Sequence, residues 1–309
     1  MTARIGLIGA RGHTGRELLR LIGGRDDMEL AFASSREFAG TPVAEMAPEI
    51  ASELVFEALG PGDLEGRPAD AVILALPNGA SAPFVGALPA DTVIVDLSAD
   101  YRFDGAWTYG LPEIHGRDRL CGAVRIANPG CYATAGQLAL APLRGRLAGD
   151  AHVFGVSGYS GAGTTPSRKN DPEALAGNLM PYALTGHIHE REMSRHLGLD
   201  IRFTPHVAEF FRGLVATVHV RLAEPLSREA LIELYRTAYA GEALIDVVEA
   251  VPEVRDGTGR AGAVIGGFAL DETGTHAVIV SALDNLLKGA ATQAMQNLTL
   301  ALGLPEQAA

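Results

Sequence analysis

Between Arg4 and Ile22 an apolar strand, a glycine-rich turn and an amphipathic helix follow one another without a gap. Arg4-Ile5-Gly6-Leu7-Ile8 is the strand and Gly9-Ala10-Arg11-Gly12-His13-Thr14-Gly15 the turn. Leu18, Leu21 and Ile22 then recur at helical spacing. This order is the context of a dinucleotide-binding loop, because glycines let the backbone approach a pyrophosphate seated on the helix N-terminus. The spacing is G-x-x-G-x-x-G, a variant of the usual G-x-G-x-x-G. Gly9, Arg11, Gly12, His13, Thr14 and Gly15 are therefore cofactor-loop candidates. The bland alternative is a glycine turn without a ligand, and the flanking strand and helix favour the nucleotide.

A second strand, Glu29 to Ala33, ends in Ser34, Ser35 and Arg36. An acid at this place would hold a ribose 2′-hydroxyl, whereas two hydroxyls and a guanidinium suit a 2′-phosphate. The expected cofactor is NADP(H), with the neighbouring Glu37 as the contrary sign. Asp70 to Leu76 and Asp91 to Ser98 are near-continuous apolar strands, which indicate a parallel sheet covered on both faces. Ligands bind beyond the carboxyl ends of such strands, so Leu76, Pro77 and Ser98 join the cofactor candidates. The first half reads as a Rossmann-type domain over 1–130.

Asn128-Pro129-Gly130-Cys131-Tyr132-Ala133-Thr134 holds one of only two cysteines in 309 residues. It stands just before a helix-like run, Thr134 to Leu147. A thiol at a helix N-terminus is pushed toward thiolate by the macrodipole, although a cysteine is more often a small buried hydrophobe. Past this point the pattern changes to strands with alternation around Val153 to Ser157, Val215 to Arg221, Ala263 to Leu270 and His276 to Ala282, with a helix from Ser227 to Ala240. That is an α+β domain with a largely antiparallel sheet. Gly158 to Thr165 forms a second glycine- and hydroxyl-rich loop.

A net charge of -12 argues against a nucleic-acid partner. The longest clean apolar run, Ala71 to Leu76, is too short to span a bilayer. Cys121 and Cys131 make no disulfide framework, and Arg4, Arg11 and Arg16 interrupt any leader-like run, so a cytoplasmic protein is expected.

A thiolate needs an acid or base nearby, and Gly186-His187-Ile188-His189-Glu190-Arg191-Glu192 offers one. On a helix His189 and Glu192 share a face, and His187 points elsewhere unless it precedes the helix. A zinc site is the alternative, disfavoured because neither cysteine and no second cluster supplies further ligands. Arg212 could clamp a phosphate or carboxylate.

The motifs around Cys131, together with Asp96-Leu97-Ser98-Ala99-Asp100-Tyr101-Arg102, Tyr109-Gly110-Leu111-Pro112-Glu113 and Asp284-Asn285-Leu286-x-Lys288-Gly289-Ala290-Ala291, run nearly end to end. Through them the chain resembles the N-acetyl-γ-glutamyl-phosphate reductase family of the aspartate-semialdehyde dehydrogenase superfamily. The resemblance implies a Cys131 thioacyl enzyme, an acid/base histidine at His187 supported by His189 and Glu192, and reduction by NADPH. It implies cofactor contacts from Ser157, Gly158, Gly161 and Asn285, and substrate contacts from Arg102, Asn128, Tyr132 and Arg212. It also implies a Rossmann domain completed by a C-terminal helix within 284–309, and a catalytic domain over 131–283 that makes a homo-oligomer, dimer or tetramer. The expected partner is a small acyl-phosphate substrate, with no metal, nucleic acid or membrane. Departures at Glu190-Arg191, Ala208 to Phe211 and Gly259 to Ala263 leave open a related acyl phosphate, aminoadipyl or aspartyl. A non-catalytic NADP sensor and a Cys/His acyl hydrolase are the remaining alternatives.

Overall fold

The computed structural model describes residues 2–50 and 52–306. It divides into two compact units, one comprising residues up to Gly130 and again from Ala290, the other Cys131–Gly289.

The first unit is a six-stranded parallel sheet. Its strands are β1 (Ala3–Ile8), β2 (Met28–Ser34), β3 (Ala71–Leu74), β4 (Val93–Asp96), β5 (Thr108–Tyr109) and β6 (Arg125–Ala127), in the order β2-β1-β3-β4-β6-β5. Helices α1 (His13–Gly23), α2 (Ala82–Ala87) and α3 (Pro112–His115) lie in the connections. Every residue of β3 and β4 is buried, as their unbroken apolar runs require. The C-terminal helix Thr292–Ala301 returns to this unit. Its Ala294 and Leu298 share a core with Ile5, Leu7, Ile73 and Val95.

In the sequence Leu286, Ala290, Ala294 and Leu298 form an i, i+4 stripe with small members, and the burial extends well beyond it, since all ten residues of Thr292–Ala301 are buried. Gln293, Gln296, Asn297 and Thr299 find hydrogen-bond partners, whereas the buried Thr292 Oγ1 has none among the described residues. The Asn297 side-chain amide donates to the Gly110 carbonyl at 3.0 Å and to Asn128 Oδ1 at 2.9 Å. Gly110 has to be glycine, since a Cβ there would stand 2.1 Å from Asn297 Nδ2.

The second unit opens with α4 (Cys131–Leu140). The helix starts three residues before the expected Thr134 and stops well short of Leu147. Pro142, in a 3₁₀ turn over Ala141–Leu143, has no N–H with which to continue it. There follow β7 (Ala151–Gly158), α5 (Pro172–Leu175), β8 (Leu179–Pro181), α6 (Ile188–Leu197), β9 (Ile201–Ala208), β10 (Leu214–Arg221), α7 (Arg228–Ala238), β11 (Ile245–Val247), α8 (Val254–Gly257), β12 (Ala263–Leu270) and β13 (His276–Leu283). The sheet order is β11-β12-β13-β10-β7-β9-β8. Four neighbouring pairs are antiparallel, and β7–β9 and β11–β12 are parallel.

One face of this sheet carries α4, which packs on β10, β13 and α6. The Tyr239 hydroxyl donates to the Leu138 carbonyl at 2.5 Å, and the Tyr235 hydroxyl to that of Ala139, near the C-terminal end of α4. The other face leaves Phe154 42% exposed, with His152, Arg202 and His219 around it.

The boundary between the units falls after Gly289, six residues later than the expected break at 283/284. Asp284 and Asn285 are the reason, because both bond only within the second unit, as described below.

Candidate active site

Cys131 is the first residue of α4 and the one residue of that helix that is not buried. Nine buried residues, mostly apolar or small, sink the helix into the unit, and the thiol is left at its positive end, where a thiolate is favoured. Gly289 lies flat against it: a Cβ there would be 2.7 Å from the Cys131 Cβ. Gly289 belongs to a π-helical turn, Leu287–Ala291, and its N–H donates to the Asp284 carbonyl at 2.9 Å.

His187 sits in the residue before α6 and serves as its N-cap, so the loop placement that the sequence left open is the observed one. Its Nδ1 accepts the His189 backbone N–H at 3.1 Å. A neutral His187 must then carry its proton on Nε2. Burial first, and the Lys169 charge second, push its pKa down to about 4, with Glu190 opposing. The ring meets those of Tyr182 at 5.7 Å, His189 at 4.8 Å and Phe203 at 5.2 Å, edge to face in each case.

Tyr182 was not foreseen from the sequence. Burial raises its phenol pKa, and the charge of Cys131 adds to the rise. Tyr132 is likewise buried and raised, first by burial and then by the charges of Tyr182 and Cys131, and its hydroxyl donates to the His206 carbonyl at 2.6 Å. Its ring stands 6.1 Å from that of His189. Glu192, one turn beyond His189 on α6, is fully buried.

Arg212 makes a bidentate pair with Asp284, Nε at 2.7 Å and Nη2 at 3.0 Å. The carboxylate is fully buried and also accepts the backbone N–H groups of Gly259, Leu286 and Leu287 at 2.7, 2.9 and 3.3 Å. Asn285, a cofactor candidate, makes a hydrogen bond at each end of its amide. Oδ1 accepts the Gly213 N–H and Nδ2 donates to Ser160 Oγ, each at 2.8 Å. Buried inside the second unit, it braces the Gly158 loop. Ser157 Oγ donates to the Gly158 carbonyl at 3.1 Å, a Cβ on Gly158 would meet the Phe211 carbonyl oxygen at 2.5 Å, and one on Gly161 would stand 3.2 Å from Ser157 Oγ.

The three departures are structural anchors. Glu190 accepts the N–H groups of Phe203 and Gly186 at 2.9 and 3.3 Å. Glu209 accepts that of Gly177 at 2.7 Å, while Phe210 and Phe211 present carbonyls to Tyr159 and Ser160. Gly259 serves Asp284, and Arg260 pairs with Asp246 at 2.6 Å.

In the first unit the glycine loop has the form a pyrophosphate needs. Gly9 has φ +89°, and a Cβ on it would lie 2.3 Å from the Ala75 carbonyl oxygen. Gly12 is the N-cap of α1 and offers no side-chain acceptor to the first-turn N–H groups, while a Cβ on Gly15 would stand 2.7 Å from the Ala10 backbone. His13 and Thr14 open the helix. Ser34 and Ser35 are buried; Ser34 Oγ reaches the Leu59 carbonyl at 3.4 Å and Ser35 Oγ accepts the Phe38 N–H at 3.2 Å. Arg36 is exposed and forms no ion pair among the described residues, whereas Glu37 is occupied by Arg11 at 2.6 Å.

Leu76 and Pro77 come just past the end of β3, after Ala75. Ser98 donates to Asp96 at 2.5 Å and receives the Asp100 N–H at 3.1 Å. Arg102 is nearly buried and gives hydrogen bonds to the carbonyls of Leu97 and Asn128 at 2.8 and 2.9 Å. The Asn128 amide donates to the Ala290 carbonyl at 3.2 Å and accepts from Asn297. Both residues thus stiffen the segment leading to Cys131.

Residues 4–123 match the semialdehyde dehydrogenase NAD binding domain, and residues 131–285 the semialdehyde dehydrogenase dimerisation domain. The chain is 57% identical over 99% of its length to an N-acetyl-gamma-glutamyl-phosphate reductase of Stenotrophomonas maltophilia, covering 97% of that protein. It is 53% identical over 99% of its length to one of Xylella fastidiosa, covering 94% of that protein. Among solved structures, aspartate semialdehyde dehydrogenase II of Vibrio cholerae shares the fold with a TM-score of 0.79 at 18% identity, over 98% of this chain and 99% of that one. The aspartate semialdehyde dehydrogenase of Candida albicans, crystallised with NADP, does so with 0.77 at 16% identity, over 98% and 99%. The chain therefore belongs to the semialdehyde dehydrogenase family, in its N-acetyl-γ-glutamyl-phosphate reductase branch.

Proposed function

We infer that the chain reduces N-acetyl-γ-glutamyl phosphate to N-acetylglutamate 5-semialdehyde with NADPH, releasing phosphate, as a step of arginine biosynthesis. The observation that carries this reading is a single half-buried thiol at the first residue of an otherwise buried helix, in the unit that also carries the paired rings of His187 and Tyr182. The end-to-end similarity to reductases of that name supports the choice of substrate.

The Cys131 thiolate attacks the acyl carbon, the carbon–oxygen bond to phosphate breaks, and a thioester forms on the enzyme. When bound, NADPH supplies the hydride that this thioester accepts. His187 meets the substrate as an Nε2–H donor, since its Nδ1 is taken by the helix N-terminus. It steadies the negative oxygen at each tetrahedral stage. Collapse expels the thiolate, which is both a good nucleophile and a good leaving group, and frees the aldehyde. The reaction is tested in reverse: protein, NADP, phosphate and N-acetylglutamate semialdehyde, followed by NADPH absorbance. Turnover with aspartate or aminoadipate semialdehyde but none with this aldehyde overturns the substrate assignment.

Preference for NADP over NAD rests on Arg36, exposed and without an ionic partner where a ribose 2′-phosphate is expected. Arg36→Ala should raise KM for NADP roughly tenfold and leave KM for NAD within a factor of about two. Equal changes for both cofactors would place the 2′-phosphate elsewhere.

The exposed sheet face is the surface we assign to a second copy. It lies within the stretch matched by the dimerisation domain. Phe154 stands on it opposite Thr204 and Thr217, flanked by Val156 and Val215. Its ring is 4.4 Å from that of His206. Phe154→Glu should shift the protein from dimer, or tetramer, to a smaller species in sedimentation velocity. An unchanged mass rejects this face. No helix among the described residues is long and apolar enough to cross a membrane, and both cysteines are free thiols, which supports a cytoplasmic site of action.

A further inference from the structure

Lys169 lies in a 3₁₀ turn, Arg168–Asn170, that the sequence did not single out. The turn is braced by Asn170, whose Nδ2 donates to the carbonyls of Gly163 and Thr165 at 2.9 and 2.8 Å and whose Oδ1 accepts the Ser167 N–H at 2.8 Å. Lys169 itself is half-buried, with Nζ 4.8 Å from the centroid of the Tyr182 ring. That ring is 5.7 Å from that of His187.

Lys169 forms no ion pair among the described residues, although the chain has 37 acidic and 25 basic side chains. The nearest acid along the chain, Asp171, is turned to capping α5, where it accepts the Glu173 N–H at 3.0 Å. Arg212 is in a different position, since two of its hydrogen bonds go to Asp284. A cation held half out of water without a carboxylate gains most from an anionic ligand. The substrate of the proposed reaction carries two such groups, an acyl phosphate and a carboxylate.

We propose that Lys169 is a substrate-binding residue whose ammonium group receives an anionic oxygen of the substrate next to the rings of Tyr182 and His187. The proposal rests on the reductase reading above. The lowered His187 pKa is consistent with it, because Lys169 acts on that ring and Glu190 opposes. An anion docked on Lys169 offsets the cation's effect and leaves the imidazole a stronger hold on its proton.

The test is Lys169→Met in the full-length enzyme, in the reverse direction with saturating NADP, varying phosphate and semialdehyde separately. One of the two KM values should rise by about tenfold or more, with KM for NADP unchanged and Lys169→Arg recovering most of the loss. A rise for phosphate assigns the phosphoryl oxygens, and a rise for the aldehyde substrate assigns its carboxylate. If neither KM moves, the proposal is overturned. A second readout needs no turnover: inorganic phosphate or N-acetylglutamate should slow iodoacetamide alkylation of Cys131 in the wild type and fail to do so in Lys169→Met. Equal protection in both proteins also overturns the role of Lys169. A wild type that is protected but does not turn over the semialdehyde would instead count against the reductase reading.

Discussion

Cys131→Ala should lower kcat by at least about 10⁴-fold, because no other group can carry the acyl chain between phosphate release and reduction. The loss should be purely chemical. Cys131 is the single residue of its helix that is not buried, so removing the sulfur opens no core cavity. Thermal midpoint and KM for NADP should stay at wild-type values. Cys131→Ser should fare little better. A hydroxyl at this helix end stays protonated near neutrality, and an alkoxide leaves a tetrahedral carbon far less readily than a thiolate does. Single-turnover assays with NADPH and the acyl phosphate are the measurement. A variant that keeps about a tenth of the wild-type rate sinks the thioacyl mechanism.

Asp284→Ala should have the largest effect on stability. The carboxylate is fully buried and serves five donors at once: two on Arg212 and the backbone N–H groups of Gly259, Leu286 and Leu287. Truncation leaves the guanidinium without its counter-charge and three amides without an acceptor. Breaking such a pair from one side costs about 3–5 kcal/mol. For a unit of this size that lowers the thermal midpoint on the order of 10 °C. Asp284→Asn retains one acceptor but turns a donor toward donors, and should recover less than half of the loss. Urea unfolding followed by fluorescence and by Cys131 alkylation reports both. A loss under about 1 kcal/mol would mean that solvent replaces the lost acceptor.

Much of the first unit was legible because its signals are local. The strand, glycine turn and helix from Arg4 to Ile22, and the apolar runs that became β3 and β4, depend on neighbours in sequence. The second unit hid more. Ile201–Ala208 is an eight-residue strand in the middle of a sheet, yet Pro205 interrupts its reading, since proline lacks the ladder N–H. It is tolerated where its carbonyl receives the Tyr182 N–H at 3.2 Å. Cys131 and the histidine pair were recognisable by residue type and setting. Tyr182 and Lys169 were not, because what qualifies them is a ring and a charge brought to His187 by tertiary folding. The hydrogen bonds of Asn285 to Gly213 and Ser160 likewise could not be read from its motif, because they span 72 and 125 residues of sequence. The final helix misled in another way: a helix buried on every side has no polar face for a periodic pattern to display.

The first unit is built from both ends of the chain, and that sets an order on its birth. When the ribosome has finished β6, the sheet that will bind the nucleotide still lacks the helix Thr292–Ala301, whose Ala294 and Leu298 belong to its core. The unit whose strands precede the second unit is thus completed only after it. Until those final turns emerge, the nascent chain exposes an apolar socket around Ile5, Leu7, Ile73 and Val95, and a message cut short after Gly289 would encode a protein unable to close it.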